Sequence, residues 1–255
     1  MQPDIDPIAF SIGPVTVHWY GLMYLVGFVG GYWLGAHRSR STAGWDKEQV
    51  SDLLFHIALG VIAGGRLGYV LFYKSNYYLS HPLEVFYVWQ GGMSFHGGLL
   101  GVLVALLLFA HRTQKSFLQI TDFAAPLVPL GLGAGRIGNF INQELWGRAT
   151  DIPLAMVFPR TDPTLTPRHP SMLYEACLEG LVMFIVLWWY SSRPRRTGAV
   201  SGLFLLCYGS FRIIVEFVRE PDAHLGYLAW NWVTMGQILS VPMIAVGLWL
   251  LTRGR

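Results

Sequence analysis

Cysteine is scarce in this 255-residue chain: there are two, Cys177 and Cys207, each inside an apolar run. That pattern excludes a disulfide framework and a zinc site, and it reads both residues as small core side chains rather than nucleophiles. Charge is scarce too. Only 13% of residues are Asp, Glu, Lys or Arg while 53% are hydrophobic, and so much apolar surface needs lipid to cover it. The sequence has no HExxH, CxxC, GxSxG or Walker string, which leaves zinc proteolysis, hydrolysis through a nucleophile elbow and nucleoside triphosphate use without support. It also has no internal repeat, low-complexity tract or linker that would split off a soluble domain. No basic segment precedes the first apolar run, which begins near His18 after Asp4 and Asp6, so a cleavable signal peptide is not expected.

What the chain does contain is long apolar runs. Seven are found, at about His18 to Ala36, Ser51 to Tyr73, Met93 to Ala110, Leu118 to Ala134, Ser171 to Tyr190, Ala199 to Val218 and Val233 to Leu251. Each approaches the roughly 20 residues that cross a bilayer as a helix. Strands are not expected, because continuous runs of this length favour helices over a closed barrel. The expected fold class is an all-α polytopic membrane protein: a bundle of seven transmembrane helices forming a single domain over residues 1–255.

Basic residues orient the bundle. The loops after runs one, three and five and the C-terminal tail hold Arg38, Arg40, Lys47, Arg112, Lys115, Arg193, Arg195, Arg196, Arg253 and Arg255, which is 10 of the 18 Lys and Arg. These face the cytoplasm under the positive-inside rule. The N-terminus then lies on the opposite, exported side and the C-terminus in the cytoplasm. Met1 to Val17 and Lys74 to Gln90 read as short membrane-surface arms, the second rich in interfacial Tyr77, Tyr78, Phe86, Tyr87 and Trp89. Residues 149–170 carry Asp151, Pro153, Pro159, Asp162, Pro163 and Pro167, and read as a small loop-rich cap between helices four and five.

The densest polar cluster is GRIGNFINQELWGR, Gly135 to Arg148, at the exported end of the fourth run. Polar groups near hydrocarbon are costly unless paired, buried in protein or facing water, so this cluster marks a site. From Arg136, the residues Asn139, Gln143 and Glu144 follow at about one and two helical turns and can share its face. A guanidinium with amide neighbours suits an anionic, oxygen-rich group such as a phosphate. In the sixth run Tyr208, Arg212 and Glu216 fall along one face. Arg212 is read either as half of a structural ion pair with Glu216 or as a second phosphate ligand on the same side of the membrane.

Other constellations admit two readings each. His96, in SFHGGLLG, opens the third run where Gly97 and Gly98 leave room for a substrate, and is either a general base or an orienting group. Tyr20 and Tyr24, one turn apart in HWYGLMY, either place a phenol against a headgroup or belong to an aromatic belt. Asp52, His56 and Arg66 are polar groups at lipid depth, and Arg66, toward the exported half, is a candidate third cation for the site. Ser171 follows Pro170 and is expected to cap the fifth helix. Gly27, Gly31 and Gly35, and Gly60, Gly64 and Gly68, recur at helical spacing and read as close helix packing.

The strings HWYGLMY, SFHGGLLG, GRIGNFINQELWGR, HPSMLYEA (His169 to Ala176) and YGSFRIIVEFVREPD (Tyr208 to Asp222) resemble those of the phosphatidylglycerol:prolipoprotein diacylglyceryl transferases of bacterial inner membranes. The likeness covers almost the whole chain, residues 149–168 excepted. It implies a seven-helix transferase that moves the diacylglyceryl group of phosphatidylglycerol onto the lipobox cysteine thiol of a lipoprotein precursor and releases glycerol phosphate, the first step of lipoprotein maturation. The family's essential positions would fall on Tyr20, His96, Arg136, Asn139, Glu144, Gly147, Tyr208, Arg212 and Glu216.

The roles expected from this likeness put Arg136 and Arg212 on the phosphate, and Asn139 and Tyr20 on headgroup placement. Glu144 and Glu216 would hold the arginines, Gly147 would contribute to lipid binding, and His96 would serve the thiol as base or orienter; Arg66 joins the lipid-binding set from its place in the second run, not from the likeness. The nucleophile belongs to the substrate; no metal or organic cofactor is called for, and no nucleic acid. Two rival classes use the same residues: a transporter of an anionic solute, for which duplicated halves are not visible, and an intramembrane hydrolase with Glu144 or His96 activating water.

Overall fold

The computed structural model describes residues 2–221, 226–230 and 232–253; Met1, Asp222 and Arg255, assigned above to the N-terminal arm, the last motif and the basic tail, lie outside them. The chain divides into two compact units, one made of Met1–Gly31 and Asp122–Arg255, the other of Tyr32–Thr121.

The first unit begins with an unexpected element. Strands β1 (Ile8–Ile12) and β2 (Val15–His18) pair antiparallel in the N-terminal arm. Gly13, at φ +57°, supplies the left-handed backbone that closes the turn between them. The expectation of no strands therefore fails outside the apolar runs, where an alternating segment can pair with its neighbour. From the hairpin the chain passes into α1 (Trp19–Ser39), a helix of 21 residues rich in Tyr, Trp and Gly.

The fourth apolar run is not one helix. It is interrupted at 125–127 and forms α5 (Phe117–Ala124) and α6 (Val128–Asn142), bent at the break. Pro126 and Pro129 account for this: each lacks an amide N–H, and each disfavours a helical residue before it. Helix α6 stops at Gln143, which takes the left-handed conformation (φ +61°) and donates its N–H to the Asn139 and Phe140 carbonyls. After a long loop come α7 (Ser171–Glu175), a π-helical stretch over Ala176–Val182 and α8 (Met183–Ser191). Then follow α9 (Ala199–Glu216) and α10 (Met235–Thr252), the latter opened by a Thr234–Gln237 capping box.

Met183, Leu187, Val200 and Ala125 are buried together at the centre of this unit, flanked by Leu132, Tyr190 and Phe204. Asp122 fixes the start of α9: its carboxylate accepts from the Gly198 and Ser201 amides at 2.6 and 2.7 Å, an anion placed at a helix N-terminus. Glycines bring backbones together. A Cβ on Gly133 would lie 3.1 Å from the Gly180 Cα, drawing α6 against the π-helical stretch.

The second unit is built on α2 (Lys47–Tyr73) and α4 (Phe95–Thr113), with α3 (Ser75–Ser80) and two short 3-10 turns between them. Asp46 caps α2 through the Gln49 amide and Ser94 caps α4 through the Gly97 amide. The glycine spacing of α2 does what the sequence suggested: Gly60, Gly64 and Gly68 face Gly97 and Gly101 of α4. A Cβ on Gly64 would sit 2.7 Å from the Gly101 Cα, backbone against backbone. Gly64→Ala is therefore expected to lower stability by about 1–3 kcal/mol, visible as earlier thermal unfolding in detergent.

Among the described residues five helices are long and apolar enough to cross a membrane, namely Lys47–Tyr73, Phe95–Thr113, Ser171–Ser191, Ala199–Glu216 and Met235–Thr252; a sixth is added if α5 and α6 form one bent span. Large apolar side chains on them point outward, among them Phe72, Leu108, Trp189 and Trp249, as lipid-facing surfaces require. The chain is a mostly helical, multi-pass membrane protein.

Candidate functional site

The site grows from the fifth apolar run. Helix α7 places Glu175 one turn after Ser171, and the π-helical stretch places Glu179 four residues further; both side chains are fully buried. Buried carboxylates require cations. Arg136 of α6 reaches them with Nε 3.2 Å from Glu175 Oε2 and Nη2 3.5 Å from Glu179 Oε2. Arg212 of α9 meets the same Glu175 from the other side, its Nη1 donating to Oε1 at 2.7 Å, while its Nη2 lies 2.5 Å from Glu216. Glu216 is held in turn by Arg219 at 3.3 Å and by the Thr234 hydroxyl, which donates at 2.6 Å. Arg136 and Arg212 thus meet at one carboxylate. The Tyr208 ring lies on the same face, within electrostatic reach of both arginines, Glu175 and Glu179.

Space for this chain of ion pairs comes from a glycine. A Cβ on Gly236 would fall 2.6 Å from Glu216 Oε1 and 3.3 Å from Arg212 Nε. Sequence reasoning missed Glu179, Arg219, Thr234 and Gly236. Glu179 had a signal, since it follows Glu175 at the same i, i+4 spacing that singled out Arg212 and Glu216. Ser171 departs from expectation as well. Instead of capping α7 it donates its hydroxyl to the Leu145 carbonyl at 2.8 Å, and the cap position is Pro170.

A second polar group sits beside α1. The Tyr20 ring packs over Gly138, where a Cβ would come within 2.7 Å of Cδ2, and its hydroxyl lies 3.4 Å from that of Tyr24. Asn139 is buried and donates to Glu144 at 3.4 Å, with Asn142 donating to the same carboxylate at 3.2 Å. Glu144 therefore does not hold an arginine, as the sequence had suggested. It falls beyond the end of α6 and binds asparagines, and Arg136 is held by Glu175 and Glu179 instead.

Gln143 likewise leaves the Arg136 face. As the left-handed residue ending α6 it turns into the loop, donating to the Pro3 carbonyl at 2.9 Å and accepting the Arg160 amide at 3.0 Å. The Thr161 hydroxyl donates to its carbonyl. Gly147 is buried where strands of loop cross: its N–H donates to the His169 carbonyl at 2.8 Å, and a Cβ there would lie 2.8 Å from the His169 Cβ. Only a residue without a side chain fits this approach. Arg148 extends the crossing by donating to the Arg219 and Glu216 carbonyls at 3.0 and 3.1 Å.

The loop over 149–170 is ordered by Arg168, whose Nε lies 2.5 Å from Asp162 Oδ2 and whose guanidinium stacks on Trp146 at 3.8 Å. Hydrogen bonds from Arg168 and Thr164 pull the Asp162 carboxyl down to about 2 against its burial. Its contribution to stability is thus complete above the ordinary carboxylate range and is lost only as pH falls toward 2. Burial, with Arg148 nearby, pushes the His169 imidazole below its ordinary value.

Two expected site residues belong to the second unit. Arg66 is buried, and its guanidinium is occupied by backbone: Nε donates to Val85 at 2.8 Å, Nη1 to Gly91 at 2.6 Å and to Gly92 at 3.3 Å, and Nη2 to Glu84 at 2.6 Å. It pins the Lys74–Gln90 arm rather than offering a free cation. His96 lies in the first turn of α4, exposed, with its ring edge-on to Phe95 at 5.6 Å. Among the described residues no group of three or more His, Cys, Asp or Glu gathers as metal ligands.

Helices of membrane length and a buried chain of arginines and carboxylates define a polytopic membrane protein with a charged site inside its helical core. The family model for prolipoprotein diacylglyceryl transferase matches residues 7–253, and the chain belongs to that family. It is 62% identical over 252 residues to the phosphatidylglycerol–prolipoprotein diacylglyceryl transferase of Pseudomonas fluorescens, covering 98% of this chain and 93% of the relative. The protein of the same name from Azotobacter vinelandii is 63% identical over 246 residues, covering 96% and 92%, and that from Pseudomonas aeruginosa 61% over 251 residues, covering 98% and 93%.

Proposed function

We propose that this chain transfers the diacylglyceryl group of phosphatidylglycerol to the lipobox cysteine thiol of lipoprotein precursors, forming a thioether and releasing glycerol phosphate. The observation that carries this reading is the meeting of Arg136 and Arg212 at Glu175, at 3.2 and 2.7 Å. Two guanidiniums from separate helices, held apart by one carboxylate, are pre-set for a phosphate to share. In the reaction the thiol sulfur attacks a glycerol carbon, the carbon–oxygen bond breaks, and the electron pair leaves on the phosphate. Negative charge grows on that leaving group, where the arginines stabilise it. Asn139, bound to Glu144, and Tyr20, packed on Gly138 beside it, position the headgroup, and Tyr208 lines the arginine face. Glu216 with Glu175 and Glu179 aims the arginines, Glu144 orients Asn139, and Gly147 shapes the backbone beside Glu216.

A thiol becomes a good nucleophile as thiolate, and His96 is assigned the proton. The whole chain acts as one transferase domain of seven spans in the bacterial inner membrane, with its N-terminus and the 149–170 cap periplasmic and its C-terminus cytoplasmic. The positive-inside distribution of arginine and lysine supports that orientation.

Incubation with labelled phosphatidylglycerol and a lipobox peptide in detergent tests the reading. A thioether on the peptide is the expected product; glycerol phosphate without it would mean hydrolysis, and no chemistry would leave transport. In the same assay His96→Gln is expected to lose turnover by about 10²–10⁴-fold, the usual contribution of a general base. Turnover retained with an unchanged pH profile would make His96 an orienter.

A further inference from the structure

The carboxylates of the arginine site are not equally held. Glu175 accepts a hydrogen bond from Arg212 at 2.7 Å, and Glu216 accepts one from Thr234 at 2.6 Å. Glu179 has no hydrogen-bond donor on either oxygen, although its side chain is fully buried. Its nearest cation, Arg136 Nη2, stands 3.5 Å away, an ion-pair contact too long for a good hydrogen bond. The groups that face it are Arg136 on α6, Tyr208 and Arg212 on α9, and Glu175 on its own element. It also lies in the π-helical stretch Ala176–Val182, a form frequent at functional sites.

Charge balance gives this isolation a consequence. Among the described residues three guanidiniums, Arg136, Arg212 and Arg219, form ion pairs with three carboxylates, Glu175, Glu179 and Glu216. A phosphodiester brought among them adds one negative charge that the buried chain does not offset. Neutralising a carboxylate is the least costly response, and the one lacking donors gives up least.

We infer that Glu179 takes up one proton as the anionic lipid headgroup binds, releasing Arg136 Nη2 to the phosphate. The inference rests on the reading that Arg136 and Arg212 receive the headgroup phosphate. Glu179 is on this account a positioning residue: charged, it holds Arg136 in the empty site; neutral, it lets the guanidinium turn to its ligand.

Calorimetric titration of the purified full-length protein with short-chain phosphatidylglycerol, in buffers of different ionisation enthalpy at one pH, counts the protons. The wild type is expected to take up about one per lipid bound, and its KM for lipid to rise with pH by at most about tenfold per unit. Glu179→Gln should bind lipid with uptake near zero and a flatter pH profile of KM. Glu179→Asp, which keeps a titratable carboxyl, should restore the uptake. No uptake by the wild type, or undiminished uptake by Glu179→Gln, overturns the inference. Should Glu179→Gln not fold, the wild-type count and the pH profile of Glu179→Asp still decide. The phosphate reading fails separately, if Arg136→Ala and Arg212→Ala bind the lipid as tightly as the wild type.

Discussion

Replacing Arg212 by lysine is expected to lower diacylglyceryl transfer by about 10²–10³-fold, the scale of losing one preorganised donor to a developing oxyanion. Both terminal nitrogens of this guanidinium are engaged, Nη1 with Glu175 at 2.7 Å and Nη2 with Glu216 at 2.5 Å. A planar fork can bridge two carboxylates on different helices and still present edges to a phosphate. An ammonium is a single point of charge on a flexible stem and cannot span both. The loss should fall mainly on kcat if the contact strengthens as the phosphate departs, and on KM if it serves binding alone. Steady-state transfer from labelled lipid to a lipobox peptide separates these, with thermal unfolding in detergent as the control for folding. Wild-type kcat and KM in a folded Arg212→Lys protein would remove the bidentate role.

The largest expected effect on stability comes from Glu175→Ala. This side chain is fully buried and, among the described residues, is the one carboxylate paired with both Arg136 and Arg212. Its removal leaves two part-buried guanidiniums facing each other, and breaking a buried pair in this way costs about 3–5 kcal/mol. Arg136 would retain Glu179 at 3.5 Å and Arg212 would retain Glu216, so collapse of the site is expected to be partial. The measurement is the unfolding midpoint in detergent beside that of Glu175→Gln, which keeps the shape and one acceptor oxygen and should lose less. If both variants melted with the wild type, Glu175 would not be the keystone of the arginine site.

The same residue illustrates how far the sequence could be read. In HPSMLYEA, Ser171 reads as a helix cap because it follows Pro170, and Glu175 lies four residues after it. In three dimensions Ser171 donates to the Leu145 carbonyl and the glutamate joins α6 to α9. Arg66 looked like a third cation because it is a guanidinium at lipid depth toward the exported half, while Arg136 stood out within the densest polar cluster. What separates them is the company each keeps: four bonds to backbone carbonyls for Arg66, carboxylates for Arg136. Glu144, by position, seemed a partner for Arg136; the left-handed turn at Gln143 carries it out of the helix and onto Asn139 and Asn142.

Sequence by itself determined what depends on near neighbours along the chain. The apolar runs set the helices, the prolines at 126 and 129 set the break in the fourth, the glycine spacing set the close packing of α2 on α4, and Arg212 found Glu216 one turn away. Pairings between helices were decided only by tertiary structure. Whether Arg136 met Glu144 or Glu175, and whether Arg136 and Arg212 met at all, depended on distances across the core of the first unit, where burial makes each guanidinium take the nearest carboxylate whatever their separation in sequence.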